Sequence, residues 1–127
     1  MKAAWSTPAV LAAALLFGAA AGTAKAQFAG EKLFKQQCAA CHAVAKDAPM
    51  GMGPNLAGVV GRDAGIMKGY WYSAEFKKGL DGQKWTPELL DAWLADPQEL
   101  ASGTYMMYKQ NDAAVRKTII EYLSSVK

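Results

Sequence analysis

Five consecutive residues, Cys38-Ala39-Ala40-Cys41-His42, constrain this chain more than any other part of its sequence. They form a C-x-x-C-H motif, the pattern of covalent c-type haem attachment. Residues three apart on a helix share one face, so two thiols at this spacing can reach both vinyl groups on one porphyrin edge. The only histidine of the 127 residues follows directly and can bind the iron as an axial ligand.

Three other uses of the two cysteines fit the sequence less well. A thioredoxin-like redox pair normally lies at a strand-to-helix junction in a βαβ pattern, and no such pattern is visible. A structural zinc site is one ligand short, because the chain offers two cysteines and one histidine. A local disulfide would leave the adjacent histidine unexplained. Haem attachment is the interpretation that uses the whole motif.

The first 26 residues have the pattern of a secretory signal peptide. Lys2 provides a short positive region, residues 9–24 are almost uninterruptedly apolar, and Ala24-Lys25-Ala26 matches an A-x-A cleavage site. The apolar run is shorter than the ~20 residues that a membrane-spanning helix needs. We therefore predict cleavage after Ala26 and export to the periplasm. The alternative is an uncleaved segment that tethers the protein to the membrane.

The remaining residues, 27–127, are predicted to form one small domain, because 101 residues are too few for two hydrophobic cores. A large apolar cofactor would do much of the work of a core in a chain of this size. The formal net charge is +3, and loss of Lys2 and Lys25 leaves 12 basic and 11 acidic side chains. This balance argues against nucleic-acid binding, which needs a clearly basic face. We expect a monomer.

Hydrophobic spacing and capping residues predict an all-α domain. Gly30 lies inside the first helix, where glycine costs roughly 1 kcal/mol relative to alanine, and this indicates a close crossing with the last helix. Glycines and prolines between residues 46 and 69 predict a long loop that wraps around a flat cofactor. The helices are expected over residues 27–45, over 73–78 with Gly79 as the end, from Thr86-Pro87 to before Pro97, and over 112–126, with a loop over 96–108.

Several side chains outside the motif could contact a haem, although each also has a purely structural interpretation. Arg62 can pair with a haem propionate or can be a solvated surface residue. Trp85 and Trp93 are expected in the core, where an indole N–H can also reach a propionate or a ligand sulfur. Met106 and Met107 can fill gaps in the packing, or one thioether can be the second iron ligand.

Further short motifs follow one another along residues 27–127. They are Gly30-x-x-x-Phe34 before C-x-x-C-H, Gly53-Pro54-Asn55-Leu56-x-Gly58, Gly61-Arg62, Tyr70-x-Tyr72-Ser73, Trp85, Trp93-Leu94-x-Asp96-Pro97, Gly103-Thr104-x-Met106 and Tyr122-Leu123. Each is weak alone, but in this order and spacing they resemble the class I cytochromes c of the bacterial, mitochondrial-like kind (the c-two, or c-550-like, subgroup). The resemblance covers essentially the whole mature chain.

The resemblance implies a small cytochrome c fold, in which the terminal helices cross and shorter helices and long loops wrap around one covalently bound haem. It implies that Cys38 and Cys41 form the thioethers and that His42 and Met106 are the axial ligands, with the Pro54 carbonyl accepting the other N–H of the imidazole. It also implies roles for further residues: Arg62, Tyr72 and Trp85 at the propionates, Trp93 beside the ligand sulfur, Gly103 and Thr104 in the ligand loop, and Gly30, Phe34 and Tyr122 at the helix crossing.

The chain departs from this family pattern at several positions. Trp93 stands where relatives usually have a tyrosine, and an indole is larger and only donates. Gln37, Gln98 and Tyr105 stand where many relatives carry lysines that form a positive ring around the haem edge. Other lysines could form a different patch: Lys35, Lys46, Lys68 and Lys109.

The expected ligands predict an electron carrier and not an enzyme. Iron that is held by two protein ligands has no vacant position for a substrate, and its geometry changes little on taking up one electron. The resemblance implies a cytochrome bc complex as donor and an oxidase or photosynthetic reaction centre as acceptor. One alternative is a ligand-binding or peroxidase-like haem protein in which Met106 is loose. The other is a membrane-tethered carrier with residues 1–26 retained.

Overall fold

The fold is all-α, as predicted. The computed structural model describes residue 1 and residues 19–127, and most of the predicted signal segment lies outside this range. Within the described range there are five helices and no strand: α1 (Ala19–Gln37), α2 (Ala74–Leu80), α3 (Pro87–Ala95), α4 (Pro97–Leu100) and α5 (Ala113–Ser125). None of the described helices is long and apolar enough to cross a bilayer.

Helices α1 and α5 cross at Gly30, and this contact organises the domain. A Cβ atom on Gly30 would lie 2.5 Å from the Cβ of Tyr122 and 2.8 Å from the Thr118 carbonyl oxygen, so only glycine allows this approach. The rings of Phe34 and Tyr122 pack 5.7 Å apart beside it. Ile119, on the same helix, is completely buried. The crossing thereby brings the end of α1 and the apolar face of α5 to the centre of the domain.

Short polar side chains set the starts of the four later helices. The Oγ1 of Thr86 accepts from the backbone N–H of Leu89 at 3.1 Å, with Pro87 in the first turn of α3, as the sequence predicts. Ser73 caps α2, Asp96 caps α4 and Asp112 caps α5 in the same manner. The predicted last helix, 112–126, is confirmed: Asp112 is its N-cap and Val126 its C-cap.

Three predicted boundaries are wrong. The first helix begins at Ala19 and ends at Gln37, not at residue 45, because Cys38 N–H and Ala39 N–H both bond the Phe34 carbonyl and the chain then tightens into a turn. The second helix continues to Leu80, with Gly79 inside it, since the absence of a side chain lets the Leu100 backbone pack against it. The predicted loop over 96–108 contains α4 at its start.

The long loop from residue 46 to residue 69 has no helix, as predicted, and backbone hydrogen bonds fix its middle part. The backbone N–H of Leu56 bonds the Ala43 carbonyl at 2.8 Å. Further along, Arg62 and Trp85 pair through the Trp85 N–H and the Arg62 carbonyl at 2.9 Å, next to an isolated bridge between Asp63 and Lys84. The first bond holds the loop against the chain just after the C-x-x-C-H motif, and the others hold it against the segment that leads into α3.

Candidate functional site

An apolar cavity of about 450 Å³ lies between α1, the long loop, α3, the segment after α4, and α5. Its volume is within the range of cofactor pockets in proteins. Core side chains of α3 and α5 form much of its wall, including Leu94, Ile119 and Leu123. Four candidate haem-binding residues line it together: Cys38, Cys41, His42 and Met106. Thiols, an imidazole and a thioether around an apolar space suit a covalently attached haem.

The two cysteines lie in the turn that follows α1, and not within the helix that the sequence predicts. His42 N–H bonds the Cys38 carbonyl at 2.9 Å, and Cys41 N–H bonds the same oxygen at 3.1 Å. This turn keeps both thiols and the imidazole directed to one cavity. Burial, followed by the neighbouring Cys41, raises the pKa of the Cys38 thiol to about 11, so it is a neutral thiol before attachment.

His42 is held in one orientation by the loop opposite. Its Nδ1 lies 2.7 Å from the Pro54 carbonyl oxygen. A carbonyl only accepts, so Nδ1 carries the hydrogen and Nε2 keeps the lone pair that can bind a metal. Burial lowers the pKa of His42, although the bond to Pro54 opposes the shift, and this favours the neutral ring.

Gly53 is a site residue that the sequence interpretation did not single out. A Cβ atom there would lie 2.6 Å from Nδ1 and 2.8 Å from Nε2 of His42, so the imidazole packs directly on the loop backbone. The Gly53 N–H also bonds the Cys41 carbonyl at 2.8 Å. The sequence signal that could have identified Gly53 is its position immediately before Pro54, in a loop expected to contact the cofactor.

Met106 lines the cavity, and its sulfur accepts a hydrogen bond from a tryptophan. The indole N–H of Trp93 donates to Met106 Sδ at 3.1 Å. Trp93 is 6% exposed, and its ring packs edge-on against Phe76 and Trp85 at 5.4 and 5.7 Å. Met106 packs against the core, whereas Met107 is 74% exposed. Burial thus distinguishes the two adjacent methionines.

The predicted propionate residues also line the cavity, but Arg62 is largely occupied by the protein. Its guanidinium donates to the carbonyls of Ala57 at 3.1 Å and Asn55 at 3.0 Å, which stiffens the long loop. Burial lowers the pKa of Arg62 from its usual value. The Tyr72 hydroxyl accepts from the Met67 N–H at 3.3 Å and keeps its own hydrogen to donate. Trp85 brings a third donor to the same wall.

The residues of the ligand loop are fixed by a side chain that the sequence interpretation treated only as a missing lysine. Gln98 accepts from the Gly103 N–H at 2.8 Å and donates to the Thr104 carbonyl at 3.0 Å. Gly103 has a φ of +97°, which favours glycine, and Thr104 is 5% exposed. No periodicity or local motif marks Gln98, because its partners lie across a turn.

The cytochrome c family model matches residues 28–127. The chain belongs to the cytochrome c family. Cytochrome c2 of Rhodopila globiformis is 42% identical over 100 residues, a match that covers 77% of this chain and 91% of that protein. Cytochrome c2 iso-1 of Rhodospirillum centenum is 39% identical over 111 residues, a match that covers 76% of this chain and 92% of that protein. A solved structure of cytochrome c2 from Rhodospirillum centenum superposes with a TM-score of 0.71 at 37% identity, covering 79% of this chain and 97% of that one.

Another relative is longer. Cytochrome c-type cyt cy of Rhodobacter capsulatus is 38% identical over 99 residues, which are 77% of this chain but 48% of that protein. Membership of the family establishes haem c as the cofactor, with one covalently bound group, and Cys38 and Cys41 fit its attachment motif. The protein is therefore a mono-haem cytochrome c electron carrier. The bound haem supplies an iron that takes up and releases one electron.

Proposed function

We propose that this cytochrome c is an exported periplasmic carrier in which Cys38 and Cys41 hold the haem and His42 and Met106 are the two iron ligands. The observation that carries the ligand assignment is that the two donor atoms, His42 Nε2 and Met106 Sδ, belong to side chains that line one cavity. Nδ1 of His42 bonds Pro54, which leaves Nε2 for the metal, and the Met106 sulfur lies in the same cavity. Thioether ligation favours the ferrous state and raises the potential.

Ligation of the iron by two side chains favours electron transfer over catalysis as the function of this site. The cavity wall is apolar, and low polarity limits solvent reorganisation when the charge of the iron changes. Arg62, the one arginine that the described residues place on that wall, donates to the Asn55 and Ala57 carbonyls. It is therefore poorly placed to act on a small molecule at the iron. A ligand-binding or peroxidase-like haem protein remains the second candidate only if Met106 does not bind.

The visible spectrum of the purified mature protein tests the ligation. We expect a low-spin haem with a weak far-red band from sulfur bound to ferric iron. The band should disappear in Met106→Ala and persist in Met107→Ala, the matched control at the adjacent position. A band that survives Met106→Ala would contradict the assignment. A high-spin ferrous protein that binds CO rapidly would favour the ligand-binding alternative.

For docking, we propose an uncharged rim instead of a ring of lysines. Three exposed side chains stand at the cavity mouth: Met52 (80%), Tyr105 (69%) and Met107 (74%). Within the described chain, no lysine, aspartate or glutamate lines the cavity. Two of the lysines that could form another patch are already paired, Lys35 with Glu31 and Lys109 with Asp96. The rim therefore suits a partner face that is itself uncharged around its redox centre.

The proposed partners are membrane redox complexes, with a cytochrome bc complex as donor and an oxidase or photosynthetic reaction centre as acceptor. A small rim allows transient docking and rapid release. Electron-transfer rates with such a complex should depend only weakly on salt, because surface charges account for most of the salt dependence of association. A steep fall in rate between low and physiological salt would show that lysines elsewhere guide docking.

Export is proposed from the sequence pattern of residues 1–26. The intact mass of the protein from its native host tests it. A mature chain that begins at Gln27 is expected, whereas a retained segment would favour the membrane-tethered alternative.

A further inference from the structure

The segment that carries Met106 receives almost no support from its own backbone. Thr104 N–H bonds the Ala101 carbonyl at 2.9 Å, and Gln110 N–H bonds the Leu94 carbonyl at 2.8 Å. Between these two anchors, residues 105–109 make no backbone–backbone hydrogen bond within the described chain. Another part of the molecule must therefore restrict this segment if the Met106 sulfur is to stay in place.

The Gln98 side chain uses both ends of its amide for this purpose. Its Oε1 accepts from the Gly103 N–H at 2.8 Å. Its Nε2 donates to the carbonyl oxygens of Thr104 at 3.0 Å and Met106 at 3.2 Å, and lies 3.5 Å from Met107 Sδ. One side chain thus contacts the backbone before the ligand residue and the backbone of the ligand residue itself.

Gln98 can act as a fixed support because α4 is itself anchored on several sides. Asp96 caps the helix through the Gln98 N–H at 3.0 Å, and Pro97 is buried in the first turn. The same Asp96 carboxylate pairs with Lys109, the last residue of the segment that carries Met106. Gly79 of α2 packs against the Leu100 backbone at the other end of the helix. The cap, the buried proline and the contact with Gly79 lie outside residues 103–109, so the glutamine projects from a platform with support of its own.

We propose that Gln98 is a positioning residue that holds Met106 in its ligating position by clamping residues 103–106 onto α4. This inference rests on the proposed ligation by Met106. The clamp opposes local opening of the ligand loop, and such an opening must precede replacement of Met106 by an external ligand.

Imidazole binding to the ferric protein tests the clamp, because imidazole competes with the Met106 sulfur for the iron. Gln98→Met keeps the size of the side chain and removes every hydrogen bond, and Gln98→Glu keeps the acceptor but removes the donors. Glu99→Gln, one residue along the same helix and exposed, is the matched control. Loss of the far-red band on titration gives the apparent affinity, and urea unfolding gives global stability.

We expect imidazole to bind about tenfold more tightly to Gln98→Glu, which loses the two bonds donated to Thr104 and Met106. It should bind Gln98→Met at least as tightly, because that variant also loses the bond from the Gly103 N–H. Glu99→Gln should bind it like the unsubstituted protein. Unchanged affinity in both Gln98 variants, or a loss confined to the urea midpoint, would overturn the clamp while the ligation by Met106 stands. Absence of the far-red band in the unsubstituted protein would overturn that ligation, and the clamp with it.

Discussion

The hydrogen bond from Trp93 is expected to raise the reduction potential of the haem. The indole N–H lies 3.1 Å from Met106 Sδ. A donor on a thioether withdraws electron density from the sulfur, and ferric iron depends on sulfur donation more strongly than ferrous iron does. The bond therefore stabilises the reduced state, as hydrogen bonds to a ligand generally tune a metal. Its removal in Trp93→Phe should lower the potential.

The magnitude follows from the worth of one hydrogen bond. A net contribution of about 0.5–1.5 kcal/mol corresponds to about 20–60 mV for one electron, since tenfold in equilibrium is about 59 mV. This range applies if the whole bond is specific to the reduced state. Trp93 also packs against Phe76 and Trp85. The smaller ring therefore leaves space, which should cost about 1–3 kcal/mol in free energy of unfolding.

Voltammetry of the purified holoprotein measures the shift. Trp71→Phe is the control, because Trp71 is 89% exposed and its loss should leave the potential unchanged. Trp93→Tyr retains a donor on a smaller ring and should fall between Trp93→Phe and the unsubstituted protein. A potential that stays the same or rises in Trp93→Phe, with the far-red band retained, would refute the reasoning.

Three further perturbations test the parts that support the site. Gly30→Ala should destabilise the protein by about 1–3 kcal/mol through overpacking against Tyr122, measured by urea unfolding, although a glycine-to-alanine change at an open helix position stabilises by about 1 kcal/mol. Gly53→Ala should displace the His42 ring and cost about 1–3 kcal/mol of holoprotein stability, and a variant with normal stability and spectrum would contradict this contact. The hydrogen bond from Lys109 lowers the pKa of Asp96 below its usual 3.8. The stability that the ionised Asp96 carboxylate contributes is therefore present above pH 3.8 and is lost as the pH falls through the lowered pKa. Asp96→Asn, which keeps a capping oxygen, should therefore destabilise the protein near neutral pH, and the difference should shrink as the pH falls below 3.8, as unfolding over this pH range will show.

Local signals in the sequence predicted the parts of the fold that depend on local chemistry. Thr86 followed by Pro87 predicted the start of α3, because a hydroxyl cap and a proline in the first turn act within a few residues. Gly30 predicted a close helix crossing, because a glycine that weakens a helix needs a reason in the packing. The C-x-x-C-H spacing predicted that Cys38, Cys41 and His42 share one site, and all three line the cavity.

The parts that were missed depend on contacts distant in sequence or on elements too short to show a period. Helix α4 has four residues, fewer than hydrophobic spacing can reveal, although its Asp96 cap and Pro97 were visible. The end of α1 is set by two N–H groups that share the Phe34 carbonyl, which no composition rule specifies. The sequence marks Gln98 only by the charge it lacks, whereas its hydrogen-bond partners depend on where the chain returns after α4.

The helix crossing and the haem site are physically one structure, since both depend on α5. Tyr122 of this helix meets Gly30, while Ile119 and Leu123 line the cavity. A side chain added at residue 30 pushes on the backbone carbonyl of Thr118 and so shifts the whole helix, not a single flexible side chain. Overpacking at the crossing should therefore also disturb the cavity wall. The absorbance of the haem should report strain introduced at Gly30, even though that residue lies outside the cavity lining.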